Sequence, residues 1–325
     1  MQENLRDRPV FICGHPKSGT SLLRSLLDAH PQLVVYPEET GFFRRYLPAI
    51  QGLDLEEKVA LAEEKLIHIF TWNQQQPPPS QVGFPDRDYS GVHFEAVRLA
   101  MIGQLTLNGF RHDGDLLSAA ILAFGQVTGQ LSDDTLWWVE KTPYDERYAE
   151  QIYTWWPQAR CIHIVRDPRD NFLSYHQKHA GWNARVFAQN WVDSTGAGLE
   201  NRAHYGTENY MIVRYEDLVQ KPNETLSDIC NYLGIYQTDM LWVPTRNGEA
   251  WMGNSMFTER FKGISSTPVE RWKGSLKPED AGVIALLAGS LMGVLGYPVE
   301  GRIPARAYLR VARWRLGRMG SRIKK

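Results

Sequence analysis

The sequence predicts an α/β fold, a three-layer, P-loop-like arrangement in which a parallel sheet is flanked by helices. Three observations predict it. Four short apolar runs, at residues 10–13, 136–139, 161–165 and 210–213, have the length and the β-branched or aromatic content of buried strands. The stretches between them are long enough for the helical crossovers that parallel strands require. The first run also ends in a glycine-flanked loop, Gly14-His15-Pro16-Lys17-Ser18-Gly19, that opens directly into an apolar-periodic segment.

The elements follow in order. A strand at 10–13 runs through the loop into a helix over 21–29, and helical patterns occupy 55–70, 94–109 and 115–128. The glutamine- and proline-rich run Gln74-Gln75-Gln76-Pro77-Pro78-Pro79 breaks this region as a loop. After the strand at 136–139 come a helix over 145–155, a strand at 161–165 and helices over 169–178 and 184–205. The strand at 210–213 is followed by a helix over 223–233. Residues 243–275 carry Gly, Ser, Pro and the bulky aromatics Trp251, Phe257, Phe261 and Trp272 with little periodicity, the pattern of a long binding loop or lid. A helix over 278–295 precedes the C-terminal tail.

Composition narrows the class. The chain has 325 residues, 43% hydrophobic and 22% charged, ordinary values for a globular protein with a sizeable core. No apolar run reaches the length of about 18 residues that a membrane span needs, and the polar first eight residues do not read as a signal peptide. Cys13, Cys161 and Cys230 have no metal-type spacing and read as reduced core residues, so a cytoplasmic location is expected. His15, His30 and His163 likewise read as structural, and no metal site is expected. The net charge of −1 conceals an asymmetry: residues 302–325 hold nine basic and no acidic side chains, which leaves about −10 on residues 1–301. This tail reads as a basic amphipathic helix, either docked on the acidic body or in contact with an anionic membrane or acidic partner. No nucleic-acid partner is expected.

Two segments carry anion chemistry. Unpaired N–H groups and the helix dipole hold an anion where a glycine-flanked loop meets a helix N-terminus. Gly14 and Gly19 have the Walker spacing G-x-x-x-x-G-K-[ST], but Thr20 stands in the lysine's place and the lysine sits inside the loop as Lys17. That wording suits a phosphate other than that of ATP or GTP. The second segment, residues 161–176, runs from a strand into Arg166, then Pro168 and a helix on which Ser174 lies about two turns along. An Arg at the strand end and a Ser on the helix can converge on one phosphate, so the ligand has two separate anionic groups.

These residues resemble the sulfotransferases that use 3′-phosphoadenosine 5′-phosphosulfate (PAPS). The Pro16-Lys17-Ser18-Gly19-Thr20-Ser21 loop is similar to the family's 5′-phosphosulfate loop, and Arg166 and Ser174 to its 3′-phosphate pair. Leu27-Asp28-Ala29-His30-Pro31 and Glu38-Glu39-Thr40 are similar to the tyrosylprotein branch, and Glu140-Lys141-Thr142-Pro143 to the heparan and bacterial branches. Arg214-Tyr215-Glu216-Asp217-Leu218 and Arg271-Trp272-Lys273-Gly274-Ser275-Leu276 complete the set.

The resemblance implies a single domain over 1–301, with a helical acceptor-side insertion at about 40–135 and a lid at about 243–275, followed by the 302–325 tail. It implies PAPS as donor, adenosine 3′,5′-bisphosphate as product and no required metal. The sulfuryl group passes to an acceptor hydroxyl on a glycan, a phenol, a peptide tyrosine or a lipid-linked group. Lys17 and Lys141 would stabilise the leaving group. Pro143 stands where cytosolic members carry a histidine base, so the base falls to Glu39. The spacing from the loop is one residue longer than in the tyrosylprotein branch and keeps Glu38 as the alternative. Lys17, Ser18, Gly19, Thr20, Ser21, Arg166, Ser174, Tyr215, Ser266, Lys273 and Gly274 would hold the nucleotide, with Lys178 a further candidate. The competing readings are a P-loop small-molecule kinase and a catalytically silent nucleotide- or glycan-binding module.

Overall fold

The computed structural model describes residues 5–84, 86–178, 181–253, 263–299 and 303–322, with the backbone alone for Lys178 and 315–322. The predicted contributions of Phe257, Phe261 and the Lys178 side chain lie outside the described residues. So do Arg302, Lys324 and Lys325, and the side chains of Arg315, Arg318 and Arg322.

β1 (Pro9–Cys13) enters α1 (Thr20–Leu27), then β2 (Leu33–Val35). A helical region follows, with a π turn at Phe42–Tyr46, then α2 (Leu55–Ala62), α3 (Phe94–Asn108) and α4 (Gly114–Thr128). β3 (Trp137–Lys141), α5 (Ala149–Trp155), β4 (Arg160–Val165), α6 (Pro168–Lys178), α7 (Ala184–Tyr205) and β5 (Tyr210–Arg214) continue the alternation. The chain closes with α8 (Tyr215–Gln220), α9 (Pro222–Leu233), a short antiparallel pair β6 (Thr245–Arg246) and β7 (Glu249–Ala250), α10 (Trp272–Ser275), α11 (Pro278–Val294) and α12 (Ala305–Arg322).

The five-stranded sheet has the order β2-β3-β1-β4-β5 with every pairing parallel. Its strands are apolar on both faces because helices cover both. Phe11 and Cys13 point into one core with Val34, Trp138 and Cys161; Val10 and Ile12 point into the other with Val35, Val139 and Ile164. That period of two is the strand pleat read directly from the sequence. A third core joins α6, α7, α11 and α12 around Phe187, Trp191 and Ile284.

The differences from the sequence reading are local. β2 is three residues long, too short for a periodic signal. It is secured by α4, whose Gly125 backbone lies so close that an added Cβ would stand 2.6 Å from Val34 Cγ1. The helix over 55–70 starts on a capping box between Asp54 and Glu57, but regular α geometry ends at Ala62. A π turn (Glu63–Ile67) and a 3-10 turn (His68–Thr71) follow, and Leu66, Ile67 and Phe70 are buried there. The start of the helix over 145–155 is likewise a 3-10 turn, Asp145–Tyr148.

The basic tail forms α12, which packs Ala307 and Val311 against α11. Arg310 pairs with Asp280 at 2.7 Å and Arg306 reaches Glu279 at 3.7 Å. Among the described residues, no helix is long and apolar enough to cross a membrane.

Trp138 is wholly buried, packs edge-on against Phe11 and Trp156, and donates its indole N–H to Arg6 O at 3.1 Å. Trp138→Ala is expected to cost about 3–5 kcal/mol, read as a shift of the urea unfolding midpoint. A shift below about 1 kcal/mol would contradict this account of the core.

Candidate active site

The sheet delivers two loops to one end. Gly14 ends β1 with φ 126° against β4, so close that an added Cβ would stand 2.3 Å from Ile164 O. Its N–H donates to the buried Glu146 carboxylate at 3.0 Å. Asn171 on α6 donates to Pro16 O at 2.9 Å, and His15 is wedged among Tyr144, Tyr175 and Phe187. Burial pushes the His15 imidazole down to about 4, so the ring is neutral and packs as an aromatic. Lys17 adopts a left-handed conformation (φ 68°), and Gly19 (φ 108°) hands the chain to α1, where Thr20 and Ser21 form the first turn. The Ser18 hydroxyl is fully buried with no partner among the described residues. A buried orphan donor in such a loop fits an anion.

Arg166 closes the loop from the β4 side. Its guanidinium donates to Ser174 Oγ at 3.2 Å, to Lys17 O at 3.2 Å and to Pro268 O at 3.0 Å. It lies 4.4 Å above the Tyr215 ring, and its buried Nε has no partner among the described residues. Tyr215 in turn abuts the loop, since a Cβ on Gly19 would stand 2.4 Å from Tyr215 Cδ2. Lys17, Gly19, Arg166, Ser174 and Tyr215 therefore form one cradle.

The segment at 266–276 is pinned beside it by Asp170, which accepts from Glu270 N at 2.7 Å and Trp272 N at 2.8 Å. Arg169 lies 3.9 Å above the Trp272 ring. Within that segment Ser266 and Gly274 are exposed, and Lys273 pairs with Glu270 at 2.8 Å.

A charged pair sits at the end of β3. Lys141 is in register with Ile12 of β1, its side chain is almost wholly buried, and its Nζ donates to Glu39 Oε1 at 2.6 Å. Glu39 is 44% exposed, so its carboxylate reaches solvent. The turn that presents it is clamped by Glu140, wholly buried, which accepts from Thr40 Oγ1 at 2.8 Å, Thr40 N at 3.2 Å and Thr142 Oγ1 at 2.6 Å. Glu38 faces the opposite way. It is paired with Arg87, accepts from Tyr89 OH at 2.7 Å and lies 3.8 Å from Arg246. The two glutamates thus have separate environments, one open and one sequestered.

Sequence reasoning missed the Glu140 clamp, Asp170 and the Arg87–Tyr89–Arg246 enclosure. The Thr40–Glu140–Thr142 spacing offers a faint signal, whereas nothing local marks Arg246 as a neighbour of residue 38. Among the described residues, the ligand-type atoms of Cys13, Glu146 and His163 cluster within 4.8 Å. Cys13 and His163 both contact Tyr210 OH, and Glu146 accepts from Ser194 and Gly14. Burial pushes His163 down to about 3, and the trio reads as a polar core.

Comparison with known proteins adds the family. The chain is 23% identical over 309 residues to protein-tyrosine sulfotransferase A of Caenorhabditis elegans, covering 91% of this chain and 68% of that protein. It is 24% identical over 258 residues to the omega-hydroxy-beta-dihydromenaquinone-9 sulfotransferase of Mycobacterium bovis, covering 71% of this chain and 64% of that protein. The chain spans only part of these relatives' length, 48% in the case of the Drosophila melanogaster protein-tyrosine sulfotransferase. The sulfotransferase domain of the Synechococcus PCC 7002 olefin synthase shares the fold, with a TM-score of 0.57 at 21% identity over 90% of this chain and 96% of that one. The family model described as the sulfotransferase family matches residues 9–239. That match runs through both anion motifs and every strand of the parallel sheet, and the chain belongs to the sulfotransferase family, the enzyme class its sequence predicts.

Proposed function

We propose that this protein transfers a sulfuryl group from PAPS to an acceptor hydroxyl, with Glu39 as base and Lys141 and Lys17 facing the leaving group. The convergence of Lys17, Arg166, Ser174 and Tyr215 in one cradle, beside the Lys141–Glu39 pair, carries the reading. The cradle fits a bisphosphorylated nucleotide on its own chemistry: Ser18 Oγ and Arg166 Nε are buried donors with no partner among the described residues. Two glycines let the loop lie directly against β4 and the Tyr215 ring.

In this reading Lys17, Ser18, Gly19, Thr20 and Ser21 hold the 5′-phosphosulfate, Arg166 and Ser174 hold the 3′-phosphate, and Tyr215 flanks the nucleotide. Ser266, Lys273 and Gly274 close over it from the segment that Asp170 anchors. The donor supplies the sulfuryl group and departs as adenosine 3′,5′-bisphosphate with added negative charge. Lys141 and Lys17 offset that charge with donors already in position. Glu39 takes the acceptor's hydroxyl proton, and its exposure supports this, because the acceptor arrives from solvent. The enclosure of Glu38 by Arg87, Tyr89 and Arg246 argues against the alternative base.

The relatives' printed names point to a peptide tyrosine and a lipid-linked hydroxyl, and that range supports a hydroxyl acceptor generally. The tail helix spends Arg306 and Arg310 on α11, which favours docking over membrane contact as its role.

The deciding experiment is transfer from labelled PAPS to an acceptor panel in the presence of chelator. Transfer there supports the reading. Nucleotide binding with no turnover on any acceptor would instead favour a silent binding module, and a requirement for Mg²⁺ and ATP would favour a kinase. Glu39→Gln is expected to retain affinity for adenosine 3′,5′-bisphosphate and to lose about 10²–10⁴ in turnover, whereas Glu38→Gln should lose far less. Equal losses in single-turnover assays would remove the assignment. Arg166→Ala is expected to weaken bisphosphate binding at least tenfold by calorimetry, a typical loss for a charge-assisted contact of about 1.5–3 kcal/mol.

A further inference from the structure

A cavity of about 310 Å³ opens beside the phosphate loop and shares no lining residue with the nucleotide cradle. Its walls come from four places, one of them Asn190 on α7. Arg44 projects from the segment that follows Glu39, Tyr144, Arg147 and Tyr148 from the segment that follows Lys141, and Tyr175 and Trp182 from α6 and the turn beyond it. Tyr144 ties this wall to the loop, donating its N–H to Gly14 O at 3.2 Å and placing its hydroxyl 3.3 Å from His15 Nε2. The cavity therefore borders the chain segments that carry all three catalytic candidates.

Its charge is unbalanced. Arg24, Arg87, Arg111, Arg169 and Arg310 each have a carboxylate within ion-pairing distance. Among the described residues Arg44 and Arg147 have none, and the close contact of Arg147 is the Tyr144 ring at 4.5 Å. Asp145 also lines the cavity, and burial beside Glu140 and Glu146 pushes its carboxyl well up against the opposing pull of Arg44. Two guanidinium groups with no carboxylate within ion-pairing distance among the described residues thus border a space walled by aromatic rings. Such a lining recognises a planar ring by stacking and an oxyanion by paired N–H donors. The volume lies at the small end of the range of about 300–1,000 Å³ for small-ligand sites.

We propose that this cavity is the acceptor subsite and that it selects a ring-bearing acceptor with a carboxylate, held by Arg44 and Arg147 while Tyr148, Tyr175 and Trp182 flank the ring. The assignment rests on the reading of the protein as a PAPS-dependent enzyme. It restricts the acceptor from any hydroxyl compound to a hydroxyaryl acid or a residue that presents the same two groups. Arg44 and Arg147 are specificity residues here, since they hold a part of the acceptor that does not react.

The test is calorimetric titration of the full chain with 3-(4-hydroxyphenyl)propanoate and with its methyl ester, each with and without adenosine 3′,5′-bisphosphate. The acid is expected to bind at least tenfold more tightly than the ester, as a charge-assisted contact gives. Arg44→Gln and Arg147→Gln should each bring that ratio toward one while leaving ester binding and bisphosphate affinity unchanged, which also reports that the variants are folded. Equal binding of acid and ester, binding of neither, or a preference that survives both substitutions would overturn the proposal. Failure of the bisphosphate to bind wild-type protein would strike the donor assignment instead, and the acid-to-ester ratio without nucleotide would still decide the cavity.

Discussion

The Arg166 guanidinium is the contact on which the phosphate-loop end of this molecule depends. It emerges from β4, bonds across to the phosphate loop at Lys17 O, down α6 to Ser174 and out to Pro268. Four chain segments are thereby held by one side chain, and Trp191 fixes its backbone by donating to Arg166 O at 3.0 Å. A cation buried to this degree is costly unless its donors are occupied. Here neutral carbonyl and hydroxyl oxygens occupy those of the two terminal nitrogens, while Nε has no partner among the described residues. In the proposed function an incoming phosphate would exchange these weak acceptors for a strong one, with the guanidinium already oriented by its protein contacts.

A second economy governs the end where Lys141 meets Glu39. Three acidic side chains, Glu140, Asp145 and Glu146, are buried behind the Lys141 strand. Burial is the first cause of the upward push on each of them. Glu140 and Glu146 are hydrogen-bonded to the backbone or hydroxyls of the very turns that present Glu39 and Gly14. Their role is mechanical: they fix two loops relative to the sheet. In the proposed function chemistry is left to Glu39, which reaches solvent, and to its buried partner Lys141 at the strand end, where α/β sites form.

Much of this was legible in the chain itself. The four longer strands are apolar, bounded by turns and separated by helical patterns, so period and punctuation were enough to find them. The loop around Lys17 and the Arg166–Ser174 pair stand out by residue type and spacing, and the fold brings them into contact. β2 was not legible, since three residues carry no period and its place depends on the contact of Val34 with Gly125 of α4. The breaks after Ala62 and before Ala149 were missed for a related reason: a change of helical turn leaves the apolar pattern nearly intact. The divergence of Glu38 from Glu39 could not be read at all, because their partners come from residues 87, 89, 141 and 246, brought together only by the fold.

The last of those partners has a consequence for how the chain is made. Arg246 belongs to the β6–β7 pair, which is bound to the end of α1 by Thr245 Oγ1 and Gly248 N, both donating to Asp28 at 2.8 and 2.9 Å. These contacts close loops of more than two hundred residues. β1 is central in the sheet yet emerges first, and it too waits for β3 and β4 before it has neighbours on either side. Assembly of the glutamate turn is thus postponed until most of the polypeptide has been synthesised. High sequence separation of this kind slows folding and makes the finished site a late event. A nascent or clipped chain would carry the signature loop long before it had a completed centre beside it.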